Sequence, residues 1–202
     1  MIKPEVLTVT IELDTEQMGT APKNKEVYSA YVARKAADLG LAEQEVANVE
    51  QVEESGWTGF LTDTDGIYIP DYMIRGSLKA ACENAQATGE VAKIPAYSKW
   101  MDRLVFVTPR KIRPHNADGE QIVKPHGVIE RSIRANTPLG PRVALVKSDY
   151  LNSGTQYTFN IEVLPNSKKL SIKLMETLLS YGRYYGLGQW RGSGGCGRFS
   201  VV

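Results

Sequence analysis

The most regular pattern in the chain is a strict alternation near its start. In VLTVTIEL, Leu7, Val9, Ile11 and Leu13 share one face and Thr8, Thr10 and Glu12 the other, the period-two signature of a strand with one buried side. The alternation returns in GTQYTFNIEVL, where Tyr157, Phe159, Ile161 and Val163 fall together. Between these runs the period changes. DYMIRGSLKAACENAQA carries Met73, Ile74, Leu78 and Ala81 on a helical stripe, with Asp71 expected as its cap. SIKLMETLLSYGRYYG repeats that stripe through Ile172, Met175, Leu178 and Leu179. GFLTDTDGIYIP predicts a short hairpin turning at Asp65-Gly66, where glycine supplies the positive φ of such turns. RLVFVTPRKI predicts a strand that Pro109 confines to an edge or a bulge, and RFSVV a short closing strand.

Two regions break these periods. Residues 25–54 are polar, alanine-rich and helix-prone, and predict a helical insertion; residues 114–147 hold many turn residues and predict extended arms and a long hairpin standing away from the core. Without them the order is β-α-β-β-α-β. The expected fold is therefore α+β, a ferredoxin-like (RRM-like) core in one domain over residues 1–202, with the insertion at about 20–60 and the arms and hairpin at about 112–150.

Composition narrows the class. With 42% hydrophobic and 23% charged residues, the chain fits a globular protein in water, and no apolar run reaches the ~18 residues of a membrane helix. The N-terminus enters strand-like sequence directly, without a signal peptide's apolar run, so a cytoplasmic location with no membrane partner is expected. Cys82 and Cys196 lack any CxxC spacing, which indicates neither zinc nor a disulfide framework; both are expected as small buried or semi-buried thiols, and no cofactor is implied. The net charge of +1 conceals a polarised chain. Residues 1–66 carry 13 acidic against 5 basic residues, and residues 67–202 carry 10 against 19. Such asymmetry suits a basic surface for a polyanion, or head-to-tail contact between copies.

Chemistry concentrates near the end. GLGQWRGSGGCGRF, residues 186–199, contains six glycines. It has no GK[ST] ending, and it lies between a helix and a strand instead of opening a helix, so it is neither a P-loop nor a dinucleotide fingerprint. Successive bare amides in such a turn form an anion-binding concavity. Arg191 and Arg198 add charge and Trp190 a stacking face, the combination suited to single-stranded nucleic acid. The structural alternative is that the glycines permit tight packing.

This segment resembles the G-h-G-x5-G-h-G signature (h hydrophobic) of the RAMP superfamily, which includes the CRISPR guide-RNA backbone subunits; the spacing here is one residue longer. YIPDYMIRGSLKAA is similar to that family's strand-to-helix segment Y-I-P-G-S-S-L-K-G-A-L-R, with Arg75, Gly76 and Lys79 on its lysine, glycine and arginine, and Asp71-Tyr72-Met73 in place of G-S-S. VIERSIRAN and then LNSGTQYTFNIEVL resemble its isoleucine-x-arginine stretch, its thumb hairpin and the strand returning to the core. The resemblance leaves residues of about 20–56 and 88–125 unmatched.

It implies a non-catalytic RNA-binding backbone subunit of an effector ribonucleoprotein, oligomerising head to tail along a guide RNA. The implied partners are that RNA, a complementary nucleic-acid target, further copies of the chain and other effector subunits. The implied RNA-binding residues are Arg75, Lys79, Arg131, Arg134, Arg142, Lys147, Gly186, Gly188, Trp190, Arg191, Gly194, Gly195, Gly197 and Arg198. Some such subunits cut target RNA with an aspartate before the hairpin, but SGWTGF, in the corresponding place, has no carboxylate. Asp63 and Asp65 pair as a metal site would, although turn chemistry explains TDTDG more simply. His115 and His126 keep open a metal-independent guide-processing endoribonuclease. A structural or assembly protein reusing the fold is the third reading.

Overall fold

The computed structural model describes residues 2–23, 57–137 and 140–202, with the backbone alone for residues 133–137 and 140–144. In chain order the strands begin with β1 (Glu5–Leu13), β2 (Gln17–Met18), β3 (Ala21–Pro22), β4 (Trp57–Gly59), β5 (Leu61–Asp63) and β6 (Gly66–Pro70). Helices α1 (Asp71–Ala87) and α2 (Tyr97–Leu104) follow, then β7 (Val105–Thr108), β8 (Lys111–Ile112), β9 (Pro114–His115), β10 (Gly127–Thr137), β11 (Gly140–Leu151) and β12 (Gln156–Val163). Helices α3 (Ile172–Ser180) and α4 (Gly182–Tyr185) and strand β13 (Phe199–Val201) complete a mixed α+β architecture. Among the described residues no helix is long and apolar enough to cross a membrane.

The core sheet has the order β13-β1-β12-β7, every neighbour antiparallel. Alternation in β1 and β12 decides what it buries. Val9, Ile11, Leu13, Tyr157, Phe159, Ile161 and Val163 face α1 and α3, whose Ile74, Leu78, Met175 and Leu178 close the core. Tyr157 is wholly buried; it donates its hydroxyl to Gln17 Oε1 at 2.6 Å, and burial pushes its pKa far up. On the opposite face the polar partners satisfy one another. Thr8 donates to Asn160 Oδ1 at 2.9 Å, the Thr10 and Thr158 hydroxyls lie 2.9 Å apart, and Gln156 donates to Glu12 Oε2 at 2.7 Å. This open face offers no Lys, Arg or aromatic along β1 and β12; its exposed ring is Phe106 of β7, beside Glu162.

Local chemistry explains where elements begin. Ser171 caps α3, its Oγ accepting from the Leu174 N–H at 3.2 Å. The expected cap at Asp71 is not formed: Pro70 holds the cap position, and Asp71 is the first helical residue, with its carboxylate 2.9 Å from the Arg75 guanidinium one turn on. RLVFVTPRKI divides where the sequence reading had one strand. Arg103 and Leu104 end α2, β7 joins β12, and past Pro109 the segment β8 crosses to β6. The turn before β6 has Gly66 at φ +110, and both cysteines are buried, with burial raising each thiol pKa.

The long hairpin pairs from Gly127↔Tyr150 to Thr137↔Gly140. At its base β11 pairs antiparallel with β2 and parallel with β4, and β3 pairs with β4. The expected helical insertion falls mainly on residues 24–56, outside the described residues; β2, β3 and β4 bracket it with strands.

β1 gives the molecule two distinct ends. Its last residue, Leu13, pairs with Phe199 beside the glycine turn, and the hairpin base attaches there through Gln17 and Met18. Its first, Glu5, pairs with Val163, whose other neighbour is Val105 at the end of α2. At ~3.3 Å per residue the ends stand roughly 25–30 Å apart.

Candidate nucleic-acid interface

The glycine turn between α4 and β13 crosses back on itself. Leu187 N–H donates to the Gly197 carbonyl at 2.7 Å, Cys196 N–H to that of Trp190 at 3.2 Å, and Gly197 N–H to that of Glu16 at 2.8 Å. Gly186, Gly188 and Gly197 take φ of +66, +83 and +68. A methyl group at 186 would lie 2.5 Å from the Cys196 carbonyl oxygen and at 188 2.5 Å from that of Met18; at 197 it would collide with that of Leu187. These three positions are glycine because backbone meets backbone. The amides of Gly186, Gly195 and Gly197 all donate within the chain, so the expectation of bare amides facing a phosphate is corrected at those three positions.

The outer half of the turn is different. Nothing lies within 4 Å of a methyl placed on Gly192, Gly194 is exposed, and Arg191 projects with no ion pair among the described residues. Trp190, at φ +53, is half-buried, and Arg131 from the hairpin places its guanidinium 4.9 Å from the centre of the indole ring. Arg198 is half-buried; its Nε has no hydrogen-bond partner among the described residues, and its terminal nitrogen would lie 3.8 Å from a methyl on Gly195. Arg131 of β10 thus meets Trp190 of the turn, which also carries Arg191 and Arg198.

The remaining expected residues divide. Arg75 pairs with Asp71, which neutralises the carboxylate in the first turn of α1, and Met73 of that turn takes a 3.7 Å contact from Gln17 Nε2. Lys79 is drawn away to Asp102 on α2. Lys147 stands 3.9 Å from Glu130, its cross-strand neighbour. Arg134 and Arg142 hold register positions opposite Val143 and Ala135, and their side chains lie outside the described residues.

The catalytic candidates are engaged otherwise. Asp63 accepts from Arg113 at 2.7 and 2.8 Å and from Lys111 at 2.6 Å, and these cations hold its carboxyl far below the usual carboxylate range. Asp65 N–H donates to Asp63 Oδ1 at 3.0 Å, an Asx turn, and no group of metal-ligating side chains occurs among the described residues. His126 Nδ1 accepts from the Asn152 N–H at 3.1 Å, which leaves any ring proton on Nε2 while the imidazole is neutral. His115 pairs through its backbone with Gln156.

One carboxylate escaped the sequence reading. Asp149 of β11 reaches beneath Trp57, in the stretch that has no acid of its own; its side chain is 3% exposed, accepts from Trp57 Nε1 at 2.9 Å and pairs with Lys23 at 2.8 Å. Lys23 also lies over the Trp57 ring.

No protein-family model matches the chain, and no curated protein matches its sequence. Seventy chains of solved structures do match. One belongs to the assembly described as the cryo-EM structure of the Type III-B Cmr-beta bound to cognate target RNA, with a TM-score of 0.51 and 14% identity over 99% of this chain and 59% of that one. At that identity the likeness is one of fold, and this chain spans about 59% of that chain's length.

Proposed function

We propose that the chain is a RAMP-like, non-catalytic RNA-binding backbone subunit of a CRISPR effector ribonucleoprotein. In this reading β1-α1-β7-β12-α3-β13 is a ferredoxin-like core and β10-β11 is its thumb. The observation that carries the proposal is the meeting of Arg131, from the hairpin, with Trp190 of the glycine turn, the turn that also carries Arg191 and Arg198. Two segments distant in sequence supply a tryptophan ring with a guanidinium 4.9 Å from its centre and two more arginines in the same turn, none of the three in an ion pair among the described residues. That pairing suits a strand recognised through its phosphates and stacked bases, with sequence left to base pairing. The shared fold with a chain of an RNA-bound Cmr-beta assembly supports it.

Copies would associate head to tail along a guide RNA, since a heterologous contact that does not close propagates. Other effector subunits and a complementary target would complete the particle. Purification from the host should yield the protein with a discrete guide-length RNA. The double variant Arg191→Ala/Arg198→Ala should bind RNA more weakly and lower the log–log salt slope by about 1.4. A protein free of RNA, and indifferent to this double change, would refute the proposal.

A further inference from the structure

A second cationic cluster occupies the other end of the sheet, where no expected motif falls. Trp100 of α2 sits half-buried against the segment joining β12 to α3, and three cations surround its indole: Lys168 Nζ at 4.6 Å from the ring centre, Lys99 Nζ at 5.8 Å and Arg103 Cζ at 6.0 Å. Lys93 and Lys169 line the same cavity, about 270 Å³ in volume. None of these five cations is in an ion pair among the described residues, and Asp102, the acid of α2, is held by Lys79. Converging like charges repel, and the energy of that repulsion is released when an anion enters.

Side-chain amides fix both segments that carry the lysines. Asn166 accepts from the Lys168 and Leu170 amides at 2.9 and 3.3 Å and donates to the Leu164 and Leu170 carbonyls at 2.8 and 2.9 Å. Lys169 is thereby held at φ +62, a conformation that a lysine rarely adopts. On the other side Gln86 Oε1 accepts from the Ile94 N–H at 2.8 Å. The backbone is set before any ligand arrives, so only the flexible lysine stems must be ordered on binding.

We infer that this cavity is a second single-stranded nucleic-acid site, in which Trp100 stacks on a base and Lys93, Lys168 and Lys169 contact the flanking phosphates. An acidic peptide would need the cations alone; the indole at their centre favours a ligand with both a planar ring and anionic links. Lys168 gives up its place over the ring and turns to phosphate. The inference rests on the RNA-binding reading for its ligand class but not for its location, which lies at the far end of β1.

The test is fluorescence anisotropy with a fluorescein-labelled oligouridylate and the full chain at low and moderate salt. Trp100→Ala should weaken binding at least about fivefold. Lys168→Ala/Lys169→Ala, which alters two exposed side chains and leaves the core intact, should weaken it and lower the salt slope by about 1.4. Combined with Arg191→Ala/Arg198→Ala, the losses should multiply because the ends share no contacts. If that arginine pair matters while the lysine pair changes neither affinity nor slope, the second site is refuted and the first stands. If the lysine pair instead alters self-association at unchanged oligonucleotide affinity, the cluster serves an acidic segment of another copy, and the inference also fails. Absence of oligouridylate binding by the unaltered chain would overturn the RNA reading itself.

Discussion

The two ends of the central sheet present positive charge by opposite means. At the glycine turn the backbone is the builder: carbonyls of Leu187, Met18 and Cys196 press on positions where only glycine fits, and the cations are carried round the outside. At the Trp100 end the backbone is held by the side chains of Asn166 and Gln86, and the cations converge on a cavity. A loud sequence motif is therefore partly a packing device. A silent set of dispersed residues makes the denser charge cluster.

The sharpest way to break this contrast lies inside the glycine turn. Gly197→Ala should cost more than about 4 kcal/mol or prevent folding, whereas Gly192→Ala, also at positive φ but in open space, should cost about 1 kcal/mol, as read by urea unfolding. Equal costs would mean that the crossing is not what the inner glycines serve. Next in size, Asp149→Ala strips the hairpin base of the acceptor for Trp57 Nε1, and a loss of about 1–3 kcal/mol in the same assay is expected.

Asn166→Ala should cost about 1 kcal/mol, yet it should weaken oligonucleotide binding without changing the effect of Arg191→Ala/Arg198→Ala. The smallest effect concerns acid. Asp63 is held ionised by Lys111 and Arg113, so its contribution is present above the unfolded pKa near 4 and is lost as pH falls below it. Asp63→Asn should lower stability modestly at neutral pH, and its deficit against the unaltered chain should shrink as pH falls below about 4.

Periodicity carried the sheet and its helices, because burial of one strand face leaves alternation in the sequence: Val9, Ile11, Tyr157 and Phe159 were all placed correctly. The span of α1 was equally readable. Its cap was not, since Pro70 supplies the helix entry and an i,i+4 arginine captures Asp71. α2 escaped because only Met101 of its eight residues is buried, too few to leave a stripe. At the site, glycine, tryptophan and arginine pointed to the turn, but the Gly197 amide is occupied by the Glu16 carbonyl, far away in sequence, and those of Gly186 and Gly195 by local turns with no sequence signature of their own. The Asp149–Lys23–Trp57 and Trp100–Lys168 contacts were invisible for the same reason, being made by segments that meet only after folding.

The hydroxyls and amides along β1 and β12 already answer one another, and the two native thiols are inside. A single Thr158→Cys change would thus give an addressable handle midway along the molecule. A dye there would report approach to either tip by distance alone, without competing for a ligand at one or the other.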